Sequence, residues 1–325
     1  MSEAGPLQLS WRPYRFELPR RLITSRGALV ERSGWLLRLT AADGACGWGE
    51  AAAPLLMPAS QELASAVEAL PPALEREELE RQMGQLPAAL ACAVGMALAE
   101  LDGAGGSWQL SPLSAWLLPA GEAALTELER VLASAAGSAG SSITVKWKVA
   151  ALPDAEERAV LEALLQRLPA SARLRLDANG GWDVATAHRW ADRLVDEPRL
   201  QWLEQPLAPL ELAELERLGA RLPVALDESL PHLQPQQRDA WPGWLVRRPL
   251  QEGDPRPLLQ QLQAGLPRQM ISTAFETGIG QRFVEHLAAL QAQGPTPAAP
   301  GLAPGWQPEG PLFALDPARV WEAAA

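Results

Sequence analysis

The sequence is poor in thiol and imidazole groups. Two cysteines, Cys46 and Cys92, in 325 residues are too few for a disulfide framework or a thiolate metal site, and they point to a reducing, cytoplasmic setting. Three histidines, His188, His232 and His286, fall in helical segments or just past a strand-end loop, where packing or surface roles are the ordinary reading. No run of about 20 uncharged apolar residues occurs, so no membrane-spanning helix is expected, and the N-terminus shows no basic-then-apolar leader. Positive charge is in deficit. A formal net charge of −11 sets the surface against nucleic acid, so an anionic ligand has to be drawn by a local group of cations.

What is present is enough chain for one barrel of about 250 residues with a smaller piece beside it. Leu7 to Leu18, Gly34 to Thr40 and Gly47 to Glu50 read as strands. Between the first two, Ile23 to Gly27 reads as a polar loop longer than a tight hairpin needs, the kind that serves as a lid. Helical periodicity covers Gln61 to Leu70 and Pro87 to Leu101; the second is apolar nearly all round and is expected between two layers. From Leu113 onward strand-like runs near 114–118, 142–148, 172–177, 200–204, 223–227, 244–248 and 269–273 alternate with helix-like segments. That alternation means parallel strands with crossover helices, and the strand count fits a closed barrel. Gly294 to Pro311 reads as a Pro/Gly/Ala-rich linker back to the first domain, where a last short strand and helix, Leu312 to Ala324, are expected to pack.

Three of these strands end on an acid. Arg173 to Gly181 alternates into Asp177 and breaks at Asn179-Gly180-Gly181, and two later strands run into Glu204-Gln205-Pro206 and Asp227-Glu228. The acids are 27 and 23 residues apart, about one strand-loop-helix-loop unit, which places them at one level on successive strands. Turn formers or helix caps would explain each acid alone, but not the repeated spacing. Three carboxylates with waters and substrate oxygens suit octahedral Mg²⁺, whereas Zn²⁺ would want histidine or cysteine. Lys146 and Lys148 sit at i and i+2, on one face of the preceding strand, with Lys148 29 residues before Asp177. On an isolated strand they would be a solvated edge; in a barrel both ammonium groups share the mouth with the acids. Thr277-Gly278-Ile279-Gly280 offers either backbone N–H groups to an anion at a helix start or a plain turn.

Together these residues resemble the enolase superfamily, and within it the branch that makes o-succinylbenzoate for menaquinone and phylloquinone. The strand ends Lys146-Trp147-Lys148, Asp177-Ala178-Asn179, Glu204-Gln205-Pro206 and Asp227-Glu228-Ser229 match that pattern in order and spacing, and Glu50 in Gly47-Trp48-Gly49-Glu50-Ala51 matches its capping-domain signature. The resemblance implies an α/β fold, a modified TIM barrel (β/α)₇β with an α+β capping domain built from both termini. Residues 1–110 would form the N-terminal part of the cap, 111–295 the barrel, and 296–325 the last barrel segment and the return to the cap. It further implies Mg²⁺, with Mn²⁺ as a possible substitute, held by Asp177, Glu204 and Asp227, and a small carboxylate as substrate. Lys148 would act as base with Lys146 beside it, its ammonium pKa lowered by that neighbour and by partial burial. Ser25 and Arg26 of the closing loop, Asn179, Ser272, Thr273 and Gly301 would contact substrate.

The implied reaction is a syn dehydration of 2-succinyl-6-hydroxy-2,4-cyclohexadiene-1-carboxylate through an enediolate, one lysine serving both proton steps. One position departs from the pattern. Relatives carry Lys-Pro at the sixth strand end, and here it is Arg248-Pro249. An arginine stabilises an anion but is a poor base, which disfavours the racemase and dipeptide epimerase alternatives, since they need a base on each face. A muconate cycloisomerase is another relative. A barrel that has lost catalysis and serves as a binding protein is the alternative from outside enzymology, and the intact lysine pair and acid triad stand against it.

Overall fold

The computed structural model describes residues 5–57, 61–103, 108–135 and 142–324. The first unit is an antiparallel sheet of β1 (Leu7–Thr24), β2 (Gly27–Thr40), β3 (Cys46–Ala52) and β4 (Ala73–Leu74), in the order β3-β2-β1-β4. It is accompanied by α1 (Gln61–Ala69), α2 (Arg76–Gln82) and α3 (Ala88–Leu101). The polar loop expected at Ile23 to Gly27 is instead the tip of a long hairpin. Thr24 pairs with Gly27 and only Ser25 and Arg26 turn the chain, with a register irregularity between Glu17 and Leu22. Side chains alternate inward along both arms, so pairing continues where polarity alone suggested a loop.

Helix α3 lies between two layers, as its all-round apolar character implies. Leu90, Ala93, Val94 and Ala97 pack with Leu37, Leu39 and Ala51 of the sheet, while Cys92, Met96 and Ala99 pack with Leu250, Leu258 and Ile271 beyond it. Strand β3 reaches the helix closely enough that a Cβ at Gly49 would collide with the Ala93 carbonyl.

The second unit is a parallel sheet of seven strands in sequence order: β5 (Trp116–Leu118), β6 (Thr144–Lys148), β7 (Arg173–Asp177), β8 (Leu200–Glu204), β9 (Val224–Leu226), β10 (Trp244–Arg247) and β11 (Gln269–Ile271). Between them run α4 (Ala123–Ala135), α5 (Asp154–Arg167), α6 (Val184–Leu194), α7 (Leu212–Gly219), α8 (Pro235–Ala240) and α9 (Arg256–Gln263), with α10 (Gly278–Gln293) after β11. The outward strand residues and the inner helix faces form one apolar cluster around Trp147, Trp190 and Leu203. The eighth barrel position is an irregular segment. Ser272 and Gly301 form an isolated parallel bridge, Gly301 N–H bonds to Ile271 O at 2.8 Å, and Ala115 N–H bonds to Pro300 O at 2.9 Å. The stretch read as a linker thus closes the ring between β11 and the start of β5.

The chain then returns to the first sheet. No strand forms at Leu312; Pro311–Phe313 is a single 3₁₀ turn, consistent with a proline that withholds its N–H from a ladder, and α11 (Pro317–Ala323) follows. Val320 and Trp321 of this helix pack with Tyr14, Leu36 and Ile279, and Arg12 donates to Trp321 O at 2.6 Å. Among the described residues no helix is long and apolar enough to cross a membrane.

Candidate active site

Parallel strands with a period of two place the same kind of position at the same rim. Lys148 is paired in register with Asp177, and Asp177 with Glu204; Asp227 and Arg248 directly follow β9 and β10. The carboxylates of Asp177, Glu204 and Asp227 each place an oxygen within 4.8 Å of the other two, and all three residues are buried. Among the described residues this is the one such group of metal-ligating side chains.

Cations surround it. Lys146 Nζ lies 2.7 Å from Asp177 and 2.5 Å from Glu204. Lys148 Nζ lies 2.5 Å from the same Asp177 oxygen and donates to Asn179 Oδ1 at 2.9 Å. Arg248 grips Asp227 from Nε, 3.0 Å from Oδ1, and from Nη2, and donates from Nη1 to Thr273 O at 2.6 Å. Strand ends are tied laterally as well: Gln205 Oε1 accepts from the backbone N–H groups of Asp227 (3.1 Å) and Ser229 (3.0 Å).

The electrostatics follow from crowding. Burial alone would raise the Asp177 carboxyl, but Lys146 and Lys148 overrule it and hold the group far below the usual carboxylate range. Glu204, buried beside that anion, is pushed up to about 8. At Lys146 burial lowers the ammonium, yet Asp177 and Glu204 prevail and the net direction is upward, so contact with the acids outweighs desolvation at this lysine. Arg248 is likewise raised, its burial outweighed by Asp227. This donor set fits a divalent magnesium ion. It is all oxygen, it is compact, and the acids already gather positive charge from neighbouring side chains.

Above the acids is a cavity of about 300 Å³. Arg26, Asn179, Ser272, Thr273 and Gly301 line it, with Lys146, Lys148 and Arg248. Ser25 is placed differently. Its hydroxyl donates to Ala178 O at 2.8 Å, tying the hairpin tip to the barrel rim. Sequence reasoning passed over the apolar wall, where Leu22 and Leu29 of the hairpin meet Leu55, Leu117 and Phe275. It also missed Glu228, which accepts from Asn179 Nδ2 at 2.9 Å and is pushed up to about 7 by burial and by Asp227. One signal was available for Glu228, its adjacency to Asp227; nothing local marks the leucines. Of the three histidines, His232 reaches the cavity wall, His286 packs edge-on against Trp108, and His188 lies 3.7 Å from Glu214 at the surface.

Backbone strain gathers here too. Of seven non-glycine residues with positive φ among those described, Leu56, Asn179, Phe275 and Ala303 line the cavity, and Ala150 and Gln205 sit just past the ends of β6 and β8. Such conformations persist where surrounding contacts over-determine them.

The comparisons with known proteins agree with this geometry. Residues 129–238 match the family model described as enolase C-terminal domain-like. The o-succinylbenzoate synthase of Thermosynechococcus vestitus is 35% identical over 295 residues, covering 86% of this chain and 88% of the relative. The chain belongs to the o-succinylbenzoate synthase family of the enolase superfamily. The structure of the o-succinylbenzoate synthase of Thermosynechococcus elongatus BP-1, with magnesium in its active site, superposes with a TM-score of 0.77 at 33% identity, covering 97% of this chain and 99% of that one. The L-Ala-D/L-Glu epimerase of Bacillus subtilis shares the fold, with a TM-score of 0.76 at 20% identity, covering 94% and 92%. Family membership accounts for the modified barrel and its cap; within the family, the arginine at position 248 bears on which chemistry the site performs.

Proposed function

We propose that this chain is a magnesium-dependent hydro-lyase that converts 2-succinyl-6-hydroxy-2,4-cyclohexadiene-1-carboxylate to o-succinylbenzoate, in a cytoplasmic quinone-forming pathway. The observation that carries this reading is the placement of its cations. Lys148 on β6 and Arg248 after β10 are four strands apart in a ring of eight positions, hence on opposite sides of the mouth. Arg248 bonds to Asp227 and to Thr273 O and keeps its proton. One face therefore carries a base and the other a permanently charged cation, which suits elimination and not racemisation.

Asp177, Glu204 and Asp227 would hold magnesium, or manganese in its place, and the bound ion would supply Lewis-acid charge to the substrate carboxylate. The protein performs the proton transfers. Lys148 Nζ takes the proton α to the carboxylate, the electron pair moves into the ring, and the C–O bond to the hydroxyl breaks. The same Nζ then returns its proton to the departing oxygen, releasing water. Lys146 stays cationic beside it, between Asp177 and Glu204, and Arg248 faces the developing planar anion from the other side.

The test is an assay of purified protein with Mg²⁺ on the cyclohexadiene substrate beside a panel of N-acylamino acids. Loss of diene absorbance without racemisation is expected; racemisation without dehydration would overturn the reading.

A further inference from the structure

The cap contributes more to the site than the hairpin that covers it. Beside the hairpin, Thr273 to Phe275 forms a turn whose last residue is held with φ 61°, packs with Leu22 and Leu29 and lines the cavity. The turn has its own network. Phe275 N–H donates to Thr273 Oγ1 at 2.7 Å, that hydroxyl donates to Glu276 Oε2 at 2.5 Å, and Thr273 O receives Arg248 Nη1 at 2.6 Å. Its downstream end is fixed by a residue from the other domain. Glu50 of β3 accepts from Thr277 N–H at 3.0 Å, from Thr277 Oγ1 at 2.5 Å, from Gly280 N–H at 3.0 Å and from Tyr14 Oη at 2.6 Å.

The anion-binding helix start that Thr277 to Gly280 suggested therefore exists, and its anion is an internal carboxylate. The fit is close: a Cβ at Gly280 would come within 2.7 Å of Glu50 Oε2. Glu50 is fully buried, so its charge rests on these four donors and on the positive end of the helix they begin.

We infer that Glu50 is a positioning residue for the substrate-facing turn, so that docking of the cap sets where Phe275 and the Arg248 guanidinium stand. It touches neither substrate nor metal ligand; it acts through Thr277, Glu276 and Thr273. The inference rests on the dehydratase reading only for its kinetic consequence, and its structural consequence is measured without substrate.

The experiment compares wild type with Glu50→Gln and Tyr14→Phe by hydrogen exchange of the folded proteins and by steady-state kinetics. Glu50→Gln keeps the shape and loses the charge. Exchange at the amides of residues 273–280 is expected to speed up about tenfold or more while amides of β6 to β8 hold theirs. KM for the cyclohexadiene substrate is expected to rise about tenfold with kcat falling less than about threefold. Tyr14→Phe removes only the bond from the cap side and is expected to leave KM within about twofold. A folded Glu50→Gln protein with unchanged protection at 273–280 overturns the inference, whatever the activity. Faster exchange there with KM unchanged overturns its catalytic part, and a wild type lacking dehydratase activity overturns the dehydratase reading instead.

Discussion

The buried carboxylates at the barrel mouth and those at the domain interface are neutralised by different means. At the mouth, Asp177, Glu204 and Asp227 are met by the ends of long side chains, Lys146, Lys148 and Arg248. At the domain interface, Glu50 and Glu276 are met by backbone N–H groups and hydroxyls. Ammonium and guanidinium groups can swing aside on flexible stems and yield their places to a metal ion or to substrate. Backbone dipoles cannot move without unwinding the helix that carries them. The first group is built to exchange partners, and the second to keep them.

The contrast predicts different consequences for removing one member of each group. The largest effect belongs to Lys148→Ala, which should lower kcat by about 10³-fold or more while calorimetry still detects Mg²⁺ binding; a fully active variant would end the proposed mechanism. Glu204→Gln should weaken Mg²⁺ by more than about 100-fold, at or beyond the scale seen when supporting residues of metal sites are lost. It should leave metal-free stability in urea unchanged or higher, because one of three crowded acids is gone. Glu50→Ala should show the reverse pattern. It strands four buried donors and should cost about 2 kcal/mol or more in urea, with Mg²⁺ affinity nearly intact; equal stability losses for Glu204→Gln and Glu50→Ala would erase the distinction.

The smallest effect belongs to a partly exposed pair between the same two domains, Arg256 with Glu80, bonded twice at 2.7 Å. The hydrogen bonds from Arg256 outweigh burial and hold the Glu80 carboxyl below its usual range. A depressed carboxylate contributes stability above its unfolded pKa and loses it as pH falls through the folded value. Arg256→Gln should therefore cost less than about 1 kcal/mol at pH 7, given solvent screening, and the difference from wild type should fade as pH falls below about 4.5. A gap that widens in acid would mean that the pair is not the cause.

The mouth was legible in the sequence and the interface was not, for reasons that lie in the kind of structure that builds each. A strand repeats every two residues and a strand-helix unit every 20 to 30, so Lys146, Lys148, Asp177, Glu204 and Asp227 announce a shared rim through spacing alone. Glu50 reaches Thr277 across 227 positions, and no local pattern encodes that distance. The hairpin was hidden because Arg20, Arg21, Thr24, Ser25 and Arg26 look like loop, whereas Leu18, Leu22 and Leu29 bury its inner face in a cluster shared with Phe275 and Trp306. Composition alone reads the closing segment as a linker, because its contribution is made by backbone groups at Pro300 and Gly301, which every sequence possesses; a last barrel segment over 296–325 was implied only by the family resemblance.

The packing of Trp321 on Tyr14 and Leu36 constrains how the molecule is made. At about 5–20 residues per second, a ribosome emits the partners of that cluster some 15 to 60 s apart. Throughout that interval the nascent hairpin has an uncovered apolar face and no partner to bury it. Vulnerability to aggregation should accordingly peak during synthesis, and chaperone demand should exceed what the net charge of −11 suggests.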